Sequence, residues 1–145
     1  MKIILSNRKP SESNHIWVSD ISSIDLFVDD SESTEIIIDS MLTSFPYAEL
    51  ESVLSKIVSK LRINGRIIVY EKDIDMICYH YTKMGMGVQD MNDLLFDTSS
   101  SIASVLNAET IGESLKQAGL TIEEQFINSE TMQAVITARR NNNAN

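Results

Sequence analysis

Small hydroxyls and scattered carboxylates, rather than a histidine or cysteine constellation, are the residues whose positions could support chemistry. Ser40 and Thr43 follow the run Glu35 to Asp39 (EIIID). Ligands of open α/β sheets collect at the carboxyl ends of the strands, so both hydroxyls are candidate catalytic groups. The same residue types suit turn and helix-cap duty. Asp20 ends the run His15 to Ser19 (HIWVS) and carries two readings. A carboxylate there can accept hydrogen bonds from both ribose hydroxyls of an adenosine group, or it can cap a turn. Asp29 and Asp30 carry the same alternatives. Cys78 lies beside Tyr79, His80 and Tyr81, but a metal needs three or four ligands at known spacing. One cysteine with two distant histidines, His15 and His80, offers no such set, so no metal is expected. The basic pair Arg8-Lys9 could hold a carboxylate.

These residues need elements to position them. Lys2 to Leu5 predicts a strand, stopped by the turn-forming stretch SNRKPSES. His15 to Ser19 predicts a second strand and Ile24 to Val28 (IDLFV) a third. The three consecutive isoleucines of Glu35 to Asp39 predict a fourth, buried on both faces as in a parallel sheet. From Tyr47 to Leu61 the residues Leu50, Val53, Leu54, Ile57, Val58 and Leu61 recur at helical spacing, with Pro46 at the N-terminal end. Gly65 is placed to take the left-handed conformation that closes this helix before Arg66 to Tyr70 (RIIVY) resumes as strand. A strand, helix, strand unit with short connections makes the crossover right-handed and the sheet parallel, with EIIID and RIIVY as neighbours. Residues 74 to 96 predict two short helices divided by Met84-Gly85-Met86-Gly87. Ala108 to Ala118 predicts a helix closed by Gly119, and Thr121 to Ile127 with Met132 to Ala138 an antiparallel hairpin.

Composition narrows the classes. A chain of 145 residues with 43% hydrophobic and 23% charged side chains reads as one globular domain, residues 1–140, followed by a disordered tail over 141–145. The single cysteine rules out an internal disulfide and favours a reducing compartment, so the expected location is cytoplasmic. A formal charge of −9 repels phosphate backbones, which makes nucleic acid and membrane surfaces unsuitable partners. The expected partners are a small-molecule substrate and, for assembly, a second copy of the chain in a homodimer. No apolar run is long enough to span a bilayer, and MKIILSNRKP lacks the apolar stretch of a secretory signal.

Four stretches together resemble the class I S-adenosylmethionine (SAM)-dependent methyltransferases, in particular small ones whose first two strands are joined by a short loop. Ile3 to Asp20 (IILSNRKPSESNHIWVSD) is similar to the family's first strand, binding loop and second strand ending in an acid. Glu35 to Pro46 (EIIIDSMLTSFP) is similar to its fourth strand and following turn, Glu49 to Asp73 to its helix, "L-K-P-G-G-R" turn and fifth strand, and Leu115 to Arg140 to its closing helix and two-strand end. The resemblance implies a Rossmann-like α/β fold: a mostly parallel sheet with helices on both faces and a C-terminal antiparallel hairpin. It further implies SAM as cofactor, with Ser6, Asn7, Arg8, Asp20 and Asp39 as cofactor-binding residues, and methyl transfer to a small molecule or glycan. Ser40 and Thr43 stand where the family carries a histidine and a glutamate.

One departure bears on function. The family's first turn is rich in glycine because the backbone there must approach the methionine part of the cofactor. Here it is Ser6-Asn7-Arg8-Lys9-Pro10. The expectation is weak SAM affinity, with a dissociation constant no better than about 100 μM. An alternative is a degenerate methyltransferase fold, without cofactor, serving as a binding or assembly module. A flavodoxin-type domain suits the acidic charge but ends on a helix rather than a hairpin.

Overall fold

The computed structural model describes residues 1–11, 14–96 and 102–141. Its β-branched runs form one six-stranded mixed sheet. Strands β1 (Lys2–Ser6), β2 (Ile16–Val18), β3 (Ser33–Asp39) and β4 (Leu61–Lys72) are parallel, and β5 (Leu120–Asn128) and β6 (Gln133–Arg140) close it as an antiparallel hairpin. The spatial order is β2-β1-β3-β4-β6-β5, with β6 antiparallel to β4. This is the Rossmann-like arrangement the sequence implied. EIIID and RIIVY are adjacent, with Ile36 beside Ile67 and Ile38 beside Val69.

Period-two alternation sets the core. Ile3, Leu5, Ile36, Ile38, Ile67 and Val69 share one face and are fully buried. They form one cluster with Leu54 and Ile57 of α1 (Leu50–Ser59) and Ile111 and Leu115 of α4 (Ala108–Gln117). Each such side chain contributes about 1.5–3 kcal/mol relative to exposure. Ile4, Ile37 and Ile68, aligned in register on the opposite face, are only half-buried. Full burial of β3 on both faces is therefore not realised.

Three local readings are corrected. Ile24 to Val28 is not a strand but falls in a 3-10 helix, Ile21–Leu26, and the turn after it. Ile24, Leu26 and Val28 mimic a period of two, whereas Ile21, Ile24 and Val28, at helical spacing, are the ones buried, and Leu26 is 85% exposed. The helix expected from Tyr47 starts as a 3-10 turn, Tyr47–Glu49, and its last expected residue, Leu61, already belongs to β4. Asn64, not Gly65, takes the left-handed conformation, at φ 66°. Between the pairs Ser33–Leu61 and Glu35–Arg66 the β4 chain loops out, and a Cβ on Gly65 would stand 2.7 Å from Leu61 Cδ1 and 2.8 Å from the Arg62 carbonyl. Glycine is needed there for space.

The short β1–β2 connection carries no helix among its described residues. Helices α2 (Ile74–Lys83) and α3 (Val88–Phe96) flank Met84 to Gly87 as expected, and Gly119, at φ 95°, ends α4. Of the tail reading, residues 142–145 lie outside the described residues. No helix among the described residues is long and apolar enough to cross a membrane.

Candidate functional site

The strand order reverses between β1 and β3, and at such a switch point the carboxyl ends of the two strands open a crevice. Ser6 and Asp39 are register partners there. Ser40 follows Asp39 with φ 54°, its amide donating to the Tyr70 carbonyl at 2.8 Å and its hydroxyl to Asp39 Oδ1 at 3.1 Å. The fold thus gathers Ser6, Asp39 and Ser40 at one mouth, with Asn7 and Arg8 in the turn that leaves β1.

That turn is closed by its own side chains. The Ser6 hydroxyl donates to the Arg8 carbonyl at 2.7 Å, and Trp17 of β2 donates its indole N–H to the Ser6 carbonyl at 3.1 Å. Ser6 is buried, and none of Asn7, Arg8, Lys9 and Pro10 has a positive φ. Asp20 lies beyond β2 as an N-cap: its Oδ1 accepts from the Ser22 amide at 3.0 Å. Hydrogen bonds from Ser22 hold this exposed carboxyl below its ordinary range.

Thr43 lies in the loop after Ser40, with its backbone held on both sides. It is buried in the 3-10 turn Leu42–Ser44, and its carbonyl accepts from the amides of Ala103 and Ser104 at 2.8 and 3.1 Å. Its own amide donates to Glu71 Oε1 at 3.2 Å. Glu71 is fully buried near the carboxyl end of β4, and its Oε2 has no hydrogen-bond partner among the described residues. Burial pushes its carboxyl up to about 8, against the pull of the Thr43, Leu42 and Met41 amides, and the negative charge of nearby Asp39 adds to the rise. A neutral glutamic acid therefore sits beneath the loop that carries both candidate hydroxyls.

Glu71 escaped the sequence reading, though a signal existed. Ile67, Val69 and Glu71 alternate on one strand face, so an acid at the third position follows two core residues inward. Trp17 was also missed, because nothing in a short strand says which side chain reaches across to its neighbour.

The sheet order with its reversed final strand defines a class I methyltransferase-like fold. Comparison with solved structures agrees. A magnesium protoporphyrin IX methyltransferase from Synechocystis PCC 6803 matches with a TM-score of 0.57 at 16% identity, over 87% of this chain and 51% of that one. A 1,6-didemethyltoxoflavin-N1-methyltransferase from Burkholderia thailandensis matches at 0.60 and 12%, over 95% and 60%. A SAM-dependent methyltransferase from Archaeoglobus fulgidus matches at 0.60 and 12%, over 90% and 70%. The chain spans roughly half the length of the first solved structures it matches. No protein-family model and no curated protein sequence matches it.

Proposed function

We propose that this chain is a methyltransferase-like domain that does not use SAM and serves as a binding or assembly module. The observation that carries the reading is the turn after β1, where the family's backbone meets its cofactor: here the Ser6 hydroxyl donates to the Arg8 carbonyl and the Trp17 indole N–H to the Ser6 carbonyl. The residues present do not fit SAM. No left-handed residue opens the turn, and the Asp20 carboxylate already serves a backbone amide. The exposed, unpaired thiol of Cys78 suits a reducing, cytoplasmic setting.

A second reading, SAM-dependent methyl transfer to a small molecule or glycan, draws support from the convergence of Ser6, Asp39 and Ser40 at the switch point. Calorimetric titration with SAM and with its demethylated product separates the two. The expected result is no binding tighter than about 100 μM. Low-micromolar binding that is lost in Asp20→Ala or Arg8→Ala would refute the module reading and restore Asp20 as a ribose acceptor.

A further inference from the structure

Three carboxyl groups are buried among the described residues, those of Glu35, Glu71 and Asp73. In two of them each oxygen has its own partner. Glu35 Oε1 accepts from Arg66, and its Oε2 lies 2.6 Å from His15 Nε2. Asp73 Oδ1 and Oδ2 accept from the Ala108 and Met76 amides, both at 2.8 Å. Glu71 is different. Its Oε1 accepts from the Thr43 amide at 3.2 Å, but Oε2, on a residue with no exposed surface, has no partner among the described residues. A buried oxygen without a donor tolerates the neutral acid far better than the carboxylate, because the loss of hydration of a charge is offset only by full pairing.

The surroundings add repulsion. Asp39, at the end of β3, acts on Glu71 with its negative charge. β6 sets Ala134 beside it, and neither the loop above it, Met41 to Ser44, nor the stretch Ile102 to Leu106 has a titratable side chain. On its own strand Lys72 points to the other face and donates to the Leu94 carbonyl, while Asp73 is a second acid. Helices α1 and α4, which pack on the face that Ile67 and Val69 share, keep Glu51, Lys56, Glu109, Glu113 and Lys116 exposed.

The loop that Glu71 holds is itself a tether. The Thr43 carbonyl accepts from the amides of Ala103 and Ser104, and two residues on the Leu106 carbonyl accepts from the Ile74 amide at 2.8 Å. Thr43 thus links the end of β4 to the stretch that leads into α4. We propose that Glu71 is a proton-operated latch: neutral, it keeps the Met41 to Ser44 loop and the tethered residues 103–104 down on the end of the sheet; ionised, it draws water beneath the loop and releases both. The proton passes to solvent, and water reaches the carboxylate only when the loop lifts. The inference goes beyond the module reading and is independent of whether the crevice takes SAM.

The test is amide hydrogen exchange of the full chain by NMR at pH 6, 7 and 8, read as protection factors so that base catalysis of the exchange itself is divided out. An opening that exposes Glu71 lets its carboxyl ionise near 4.5, against about 8 when covered, so protection of the Thr43, Ala103 and Ser104 amides should fall at least tenfold from pH 6 to pH 8. These three should stay at least roughly tenfold less protected than Ile38 in the sheet, the mark of a local opening rather than of whole-chain unfolding. In Glu71→Gln the fall should vanish, and in Asp39→Asn, where the neighbouring charge is gone, it should shrink. Protection that does not change with pH, protection equal to that of Ile38 at every pH, a fall that persists in Glu71→Gln, or one undiminished in Asp39→Asn would each overturn the inference.

Discussion

Replacing Glu71 by glutamine should make the protein more stable, and by an amount that grows with pH. In the unfolded chain this carboxyl ionises near 4.5, whereas burial in the fold raises it to about 8. Between those values the unfolded state releases a proton that the folded state keeps. The contribution of Glu71 is thus fully present below 4.5 and is lost as pH rises toward 8, at about 1.4 kcal/mol per pH unit. The loss is on the order of 3 kcal/mol by pH 7 and 4 kcal/mol by pH 8. Glutamine has the same shape, keeps an oxygen for the Thr43 amide and does not titrate. Urea unfolding followed by the fluorescence of Trp17, at pH 5, 6, 7 and 8, reads both proteins on one scale. Near pH 5 they should agree to within about 1 kcal/mol, and the variant should pull ahead at each step. Carboxylates elsewhere titrate equally in both, so their effects cancel in the difference. A difference that stays constant from pH 5 to 8 would refute the claim that Glu71 is neutral in the fold.

Glu35 should behave in the opposite sense. Burial raises its carboxyl, but Arg66 at 2.5 Å and His15 at 2.6 Å outweigh this and leave it below its ordinary value. Its stabilisation is present above the unfolded value of 4.5 and lost as pH falls through the lowered folded value, so Glu35→Gln should cost about 1 kcal/mol at pH 6 and progressively less as the pH drops below 4.5, by the same unfolding assay. Gly65→Ala should lower stability by about 1–3 kcal/mol, because the new methyl meets the Leu61 side chain and the Arg62 carbonyl; thermal melts that match the native protein would contradict this. Ile38→Ala, at a fully buried site in the centre of the sheet, should cost about 2–5 kcal/mol in denaturant titration.

Long, strongly patterned segments were legible from residues alone. The isoleucine-rich runs EIIID of β3 and RIIVY of β4 announced neighbouring central strands, and the stop at Gly119 followed from backbone freedom that glycine alone supplies cheaply. Legibility failed where two periodicities overlapped, as in Ile21 to Val28, and where a helix passed into a strand with no true linker, as at Leu61. The crevice was readable in part. The end of β3 pointed to Ser40, because position along a parallel strand implies the mouth, whereas Ser6 and Asp39 came only from the family resemblance. Which of those side chains would be consumed by the fold could not be read, since the Trp17 indole, the Ser6 hydroxyl and the Glu71 carboxyl are engaged by partners distant in sequence or set by the path of the backbone.

Both borders of the sheet have a consequence for the behaviour of the protein at high concentration. On one side β2 is three residues long and gives way at once to the 3-10 helix capped by Asp20, so it offers too little unpaired backbone to template another strand. On the other, β5 is interrupted between Ile122 and Glu124 and presents the adjacent glutamates Glu123 and Glu124. A bulge and a pair of charges are the usual deterrents to edge-to-edge growth. Fibrillar polymerisation by strand addition is thereby closed off at both ends, and a crowded solution of this protein should resist amyloid-type seeding even though its sheet is rich in isoleucine.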